Sequence, residues 1–169
     1  IVCGIIALGC FLYLNRDKVV LHSTGKTKVK EKPWFASYVD VTLMPQFDFE
    51  QVKGNLVLSF VVASDKDNSP SWGNAYSLNE AETSLDLKRR IARVRQNNAD
   101  VMISFGGLIN HELAQNYTDA KALMSAYESV VDRYSVNAID LDLENEGLTD
   151  VTAGKIRAQA IAALQKKRK

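Results

Sequence analysis

From Pro33 onward the chain alternates short apolar runs with stretches of helical period. Trp34–Thr42 (WFASYVDVT) is rich in aromatic and β-branched residues, which predicts a first strand. Asn55–Ser64 (NLVLSFVVAS) is almost continuously apolar, the pattern of a strand buried on both faces. Asp100–Phe105 and Val136–Leu143 predict a third and a fourth. Helices fit between them. Asn79 stands three residues before Glu82, a capping-box spacing, and Leu87, Ile91 and Val94 recur on one face. Thr118 precedes a stripe of Leu123, Ala126 and Val130, and Asp150 one of Ile156, Ala160 and Leu164. Only a short helical turn, near 49–53, fits between strands one and two. Strand–helix alternation predicts parallel strands with crossover helices, hence an α/β fold, either an open doubly wound sheet or a (β/α)8 barrel.

The fourth strand separates these two. Ile139-Asp140-Leu141-Asp142-Leu143-Glu144 alternates apolar and acidic residues strictly. Residues two apart in a strand share a face, so Asp140, Asp142 and Glu144 line one side at steps of roughly 6.5–7 Å. A solvated edge strand is the bland alternative, but a row of like charges repels, and edges normally use lysine instead. In a barrel the same face points inward and rises to the C-terminal rim, where barrel active sites lie. Crowded like charges there suit a general acid next to a charge stabiliser. No G-x-G-x-x-G follows the first strand and no phosphate loop occurs, so the common nucleotide-binding reasons for an open sheet are missing.

Charge and cysteine content narrow the function further. The net charge of +1 hides an asymmetry: residues 34–165 hold 11 basic and 18 acidic residues. An acidic body argues against a nucleic-acid binder. Cys3 and Cys10 both fall in the first ten residues, and His22 and His111 are far apart. No disulfide scaffold, His/Cys metal site or cofactor is therefore expected, and His111 reads as a loop histidine. Residues 1–14 are nearly unbroken apolar sequence, read as a signal-peptide core or an N-terminal membrane anchor, and 15–33 as a basic linker. Residues 34–169 are then the folded part, expected to work outside the cell, secreted or anchored to the outer face of the membrane.

Asn137-Ala-Ile-Asp140-Leu-Asp142-Leu-Glu144 resembles the D-x-x-D-x-D-x-E signature on the fourth strand of family-18 glycoside hydrolases, the chitinases and their endo-β-N-acetylglucosaminidase relatives. Ser104-Phe105-Gly106-Gly107 resembles the S-x-G-G motif of that family's third strand. The segments 34–40 and Ser71-Trp72-Gly73 are similar to the first strand and to the loop after the second. The signature's first aspartate is Asn137 here, near the strand start and of opposite parity to Glu144. The resemblance implies hydrolysis of β-1,4 linkages between N-acetylglucosamine units with retention, the substrate's acetamide serving as nucleophile. It casts Glu144 as general acid, Asp142 as the group that orients the acetamide, and Asp140 as the partner that tunes Asp142. Tyr38, Asp40, Trp72, Ser104, Gly106 and Gly107 are the expected substrate contacts, Trp72 by stacking and the glycines by close approach of backbone to sugar. The partner is then chitin or a related oligosaccharide. The alternatives are an enzyme acting on N-glycan cores and a non-catalytic chitin-binding lectin. A full barrel takes about 250 residues, so the chain is expected to supply only the first four βα units, a half-barrel without activity of its own.

Overall fold

The computed structural model describes residues 35–43 and 47–169. The apolar segment 1–14, the basic linker 15–33 and Trp34 lie outside the described residues. Among the described residues no helix is long and apolar enough to cross a membrane.

Among the described residues six strands form one mixed sheet: β1 (Ala36–Asp40), β2 (Asn55–Ala63), β3 (Pro70–Trp72), β4 (Tyr76–Ser77), β5 (Val101–Gly106) and β6 (Ile139–Asp142). β2 is central. β5 lies parallel along one side of it, and β6 lies parallel to β5 beyond. On the other side of β2, β1 pairs in parallel with Asn55–Ser59, while β3 pairs antiparallel with Val61–Ala63. The register between β2 and β5 shifts between Leu58 and Val61. The four expected strands are β1, β2, β5 and β6. The hairpin of β3 and β4 departs from the all-parallel expectation: Gly73 and Asn74, both at positive φ, turn the chain back after Trp72. Ser71-Trp72 is thus strand, not loop.

The helices are α1 (Leu78–Leu85), α2 (Leu87–Gln96), α3 (Ala120–Tyr134), α4 (Asn145–Thr149) and α5 (Val151–Lys167). α1 starts at Ser77, not Asn79. The Ser77 hydroxyl accepts from the Glu80 amide, and the Glu80 carboxylate accepts from the Ser77 amide. Asp86, in the left-handed region at φ 53°, then breaks the expected single helix into α1 and α2. Asp119, one residue past Thr118, caps α3, and Asp150 caps α5 as its spacing implies. Among the described residues Val41–Leu43 and Phe49–Gln51 form two short 3-10 turns between β1 and β2.

Alternation along the strands divides the sheet into two chemistries. Leu56, Leu58, Val101, Ile103 and Phe105 join one core with Leu87, Ile91 and Val94 of α2 and Leu123, Tyr127 and Val130 of α3. Fully burying one such side chain contributes roughly 1.5–3 kcal/mol, so this helical face carries the stability. Phe105 packs edge-on against Tyr127, with ring centroids 4.9 Å apart. The opposite parity carries Tyr38, Asp40, Ser59, Ser104, Asp140 and Asp142, and the register sets Ser104 beside Asp140 and Gly106 beside Asp142.

Candidate active site

β6 places Asp140 and Asp142 on the polar face, and Glu144 follows as the residue that opens α4. The burial of Ile139 and Leu141 against the core fixes this orientation, because a one-residue slip would turn the acids into the helices. Asp140 is held from both sides. Its Oδ2 accepts from the Ser104 hydroxyl at 2.6 Å and from the Tyr38 hydroxyl at 2.9 Å. Desolvation, the hydrogen bond to Asp140 and the charges of Asp140 and Asp142 all raise the Tyr38 pKa above its ordinary 10.0. The phenol therefore stays a neutral donor. Tyr38 is 56% exposed, and its ring lies beside that of Phe60.

Asp142 and Glu144 line one depression of about 250 Å³, together with Gly107, His111, Glu112 and Glu146. A second of about 240 Å³ adjoins it through Gly107, Leu108 and Asn110, and is lined by Asp40, Thr42 and Phe60. The Asp40 carboxylate accepts from the Thr42 amide at 2.8 Å and the Thr42 hydroxyl at 2.7 Å, which pins the loop that leaves β1. Glu144 is exposed and makes no side-chain cap to α4. Among the described residues no group of three or more His, Cys, Asp or Glu side chains stands ready to hold a metal ion.

Three expected substrate contacts have different surroundings in the structure. Trp72 is fully buried: its indole N–H donates to the Tyr134 hydroxyl at 3.0 Å, and the two rings meet edge-on at 5.7 Å. It offers no face to a sugar, because β3 turns it into the core. Ser104 is also fully buried and acts on Asp140 rather than on the cleft. Gly106 is required by its neighbouring strand. At φ +107°, a Cβ there would stand 2.1 Å from the Asp142 carbonyl oxygen. Gly107, at φ +94°, donates its amide to that same carbonyl at 2.8 Å, and a Cβ on it would press on the Phe60 ring. Gly107 also lines both depressions, whereas Gly106 serves the backbone alone.

Glu112 is the residue that pattern reasoning misses. It is 3% exposed and lies in the loop after β5. It accepts from the Tyr127 hydroxyl at 2.6 Å and the Ala114 amide at 2.9 Å, and pairs with Arg157 of α5 at 3.0 Å. Burial first, then the charge and hydrogen bond of Glu112, push the Tyr127 phenol up and keep it a donor. Removing one partner of such a buried pair typically costs about 3–5 kcal/mol. Its signal in the sequence is faint: an acid in a loop, with its arginine 45 residues on.

No family model matches the chain. It is 32% identical over 167 residues to a probable bifunctional chitinase/lysozyme of Escherichia coli (strain K12), covering 90% of this chain and 18% of that protein. It is 31% identical over 166 residues to endochitinase 11 of Metarhizium anisopliae, covering 90% and 30%. Over nine tenths of its length the chain is thus similar to part of each of two proteins named as chitinases. Its fold is similar to the catalytic domain of a hyperthermophilic chitinase from Pyrococcus furiosus, with a TM-score of 0.67, 23% identity, and 80% of this chain set on 43% of that one. A catalytic-site mutant of active domain 2 of a thermostable chitinase from the same organism, complexed with chito-oligosaccharides, superposes with a TM-score of 0.63 at 22% identity, again over 43% of its length. The chain spans less than a third of these two curated relatives and under half of the solved domains.

Proposed function

We propose that the protein carrying this chain is a glycoside hydrolase that cleaves β-1,4 linkages between N-acetylglucosamine units of chitin or its oligosaccharides. The observation that carries this reading is the arrangement on β6: Asp140 fixed by Ser104 and Tyr38, with Asp142 and Glu144 opening on one cleft. The kinship to chitinases supports the choice of sugar.

In the proposed reaction Glu144, protonated, gives its proton to the glycosidic oxygen as the bond to C1 breaks. The acetamide oxygen of the same sugar attacks C1 and keeps the configuration on course for retention. Asp142 holds the acetamide N–H and balances its developing positive charge. Asp140, two residues before it on the same face, shares a hydrogen with Asp142, while Ser104 and Tyr38 keep it in place. Water then attacks C1 as the bond from C1 to the acetamide oxygen breaks and the acetamide is restored, and the Glu144 carboxylate takes the water's proton. The parallel order β1, β2, β5, β6 corresponds to the first four strands of a (β/α)8 barrel, whose later strands would form the opposite wall. The apolar segment 1–14 fits the same reading as an export signal or an anchor holding the enzyme outside the cell.

The test is Glu144→Gln in the full-length protein, assayed with a fluorogenic chitobioside. Turnover is expected to fall by three or more orders of magnitude while chito-oligosaccharide binding persists. Wild-type turnover in the variant would remove Glu144 from the role.

A further inference from the structure

Glu144 is followed at once by α4, five residues long, with Gly147 its only buried residue. So little packing cannot by itself fix where the helix begins. A buried cation holds one of its carbonyls. Arg157 donates from Nη2 to the Gly147 carbonyl at 2.9 Å. The same guanidinium reaches Oε2 of Glu112 through Nε at 3.2 Å and Nη2 at 3.0 Å. Glu112 is itself immobilised by the Tyr127 hydroxyl on α3 and the Ala114 amide. Its backbone amide donates to Gln115 Oε1 at 2.9 Å, closing the loop after β5 on itself. The Arg157 and Glu112 side chains are 8% and 3% exposed, so the geometry is shielded from water.

Four elements therefore meet at one guanidinium: α5, which carries it; α3, through Tyr127; the loop after β5; and the helix that starts at Glu144. Glu112 also lines the cleft with Asp142 and Glu144. We propose that Arg157, fixed by Glu112, is a positioning residue for Glu144, setting α4 against the loop after β5 and so aiming the Glu144 carboxylate into the cleft. The assignment rests on the general-acid role of Glu144. Arg157 does not touch substrate; it acts through the Gly147 carbonyl. The planar fork of arginine is what allows one side chain to serve Glu112 and Gly147 together, and a lysine ammonium has no such fixed pair of directions.

The experiment compares Arg157→Lys, the double variant Arg157→Gln/Glu112→Gln and Glu144→Gln with wild type in the full-length protein. Arg157→Lys keeps the charge beside Glu112, and the double variant leaves no charge buried alone, so at least one of them is expected to fold. Turnover on the fluorogenic chitobioside is normalised to folded protein, and amide exchange is followed across 145–149. Arg157→Lys is expected to lower kcat tenfold or more with KM within twofold, and to speed exchange in 145–149 while α3 and the middle of α5 stay protected. Wild-type kcat in folded Arg157→Lys, or loss explained by unfolding alone with exchange in 145–149 unchanged, overturns the proposal. Glu144→Gln separates the two claims. If it abolishes turnover while the Arg157 variants keep theirs, only the positioning role fails; if it retains turnover, the general-acid role fails, and the exchange data still report whether Arg157 holds α4.

Discussion

Gly106 shows how a single residue ties the motif to the site. Its backbone at φ +107° is strained for any side chain, and the Asp142 carbonyl stands where a Cβ would go. Gly106→Ala is therefore expected to lower stability by about 2 kcal/mol or more, combining backbone strain with a contact that β6 must yield to. Because β6 moves with it, turnover falls as well. Gly54 is the control: at φ +118° it has nothing within 4 Å of its virtual Cβ, so Gly54→Ala carries strain alone, about 1 kcal/mol, and leaves activity intact. Urea unfolding and turnover of the two variants check this, and equal effects would show that the close approach to Asp142 does not matter. Tyr38 and Ser104 act at the same scale. Both donate to Asp140, a role that strand parity hints at and only the register of β1, β2, β5 and β6 fixes.

At the scale of elements, α2 docks on the turn between β1 and β2 through charge as well as apolar packing. Arg90, 6% exposed, donates to Glu50 at 2.9 Å and to the Phe47 carbonyl at 2.6 Å, and its guanidinium lies 4.5 Å from the centre of the Phe49 ring. Burial pushes the Glu50 carboxyl up, but the hydrogen bonds from Arg90 and from its own backbone amide, with the charges of Arg90 and Arg93, outweigh it. They hold Glu50 below its ordinary 4.5. A folded pKa below the unfolded one contributes stability that is fully present above the unfolded value and is lost as pH falls through the folded value. Wild type is thus expected to lose stability as the pH drops below about 4.5, and Glu50→Gln to show a flatter profile, with the gap to wild type greatest near neutrality and closing in acid. Urea unfolding across that range measures it; parallel profiles for the two proteins would remove Glu50 as a source of the acid limb.

For the whole molecule, the decisive feature is that β6 pairs on one side only among the described residues. Its outer edge presents unpaired backbone groups next to a face carrying Asp140 and Asp142, and such an edge invites association with another chain. The solved domains that share this fold are more than twice as long as the part matched. Residues 35–169 produced by themselves are therefore expected to run larger than a monomer on size exclusion and to show no turnover. A monomer with a cooperative melt and measurable turnover would refute the need for an opposite wall.

The alternation at 139–142 determined by itself that Asp140 and Asp142 share one face, because a strand has a period of two whatever it pairs with, whereas Glu144 lies beyond the end of β6 and opens α4. The stripes of α2, α3 and α5 likewise determined which helical faces are buried, since each repeats at a helical spacing. Tertiary structure alone decided the rest. Trp72 has the same sequence neighbours whether it stacks on a sugar or fills the core. Its position depends on a hairpin, β3 to β4, that opens at Gly73 and Asn74 and turns the indole toward Tyr134 of α3. Arg157 falls on the buried stripe of α5 with Ala153, Ala160 and Leu164, but Glu112 lies in a loop, and a buried ion pair is specified by where two distant elements cross, which no local spacing in the chain encodes.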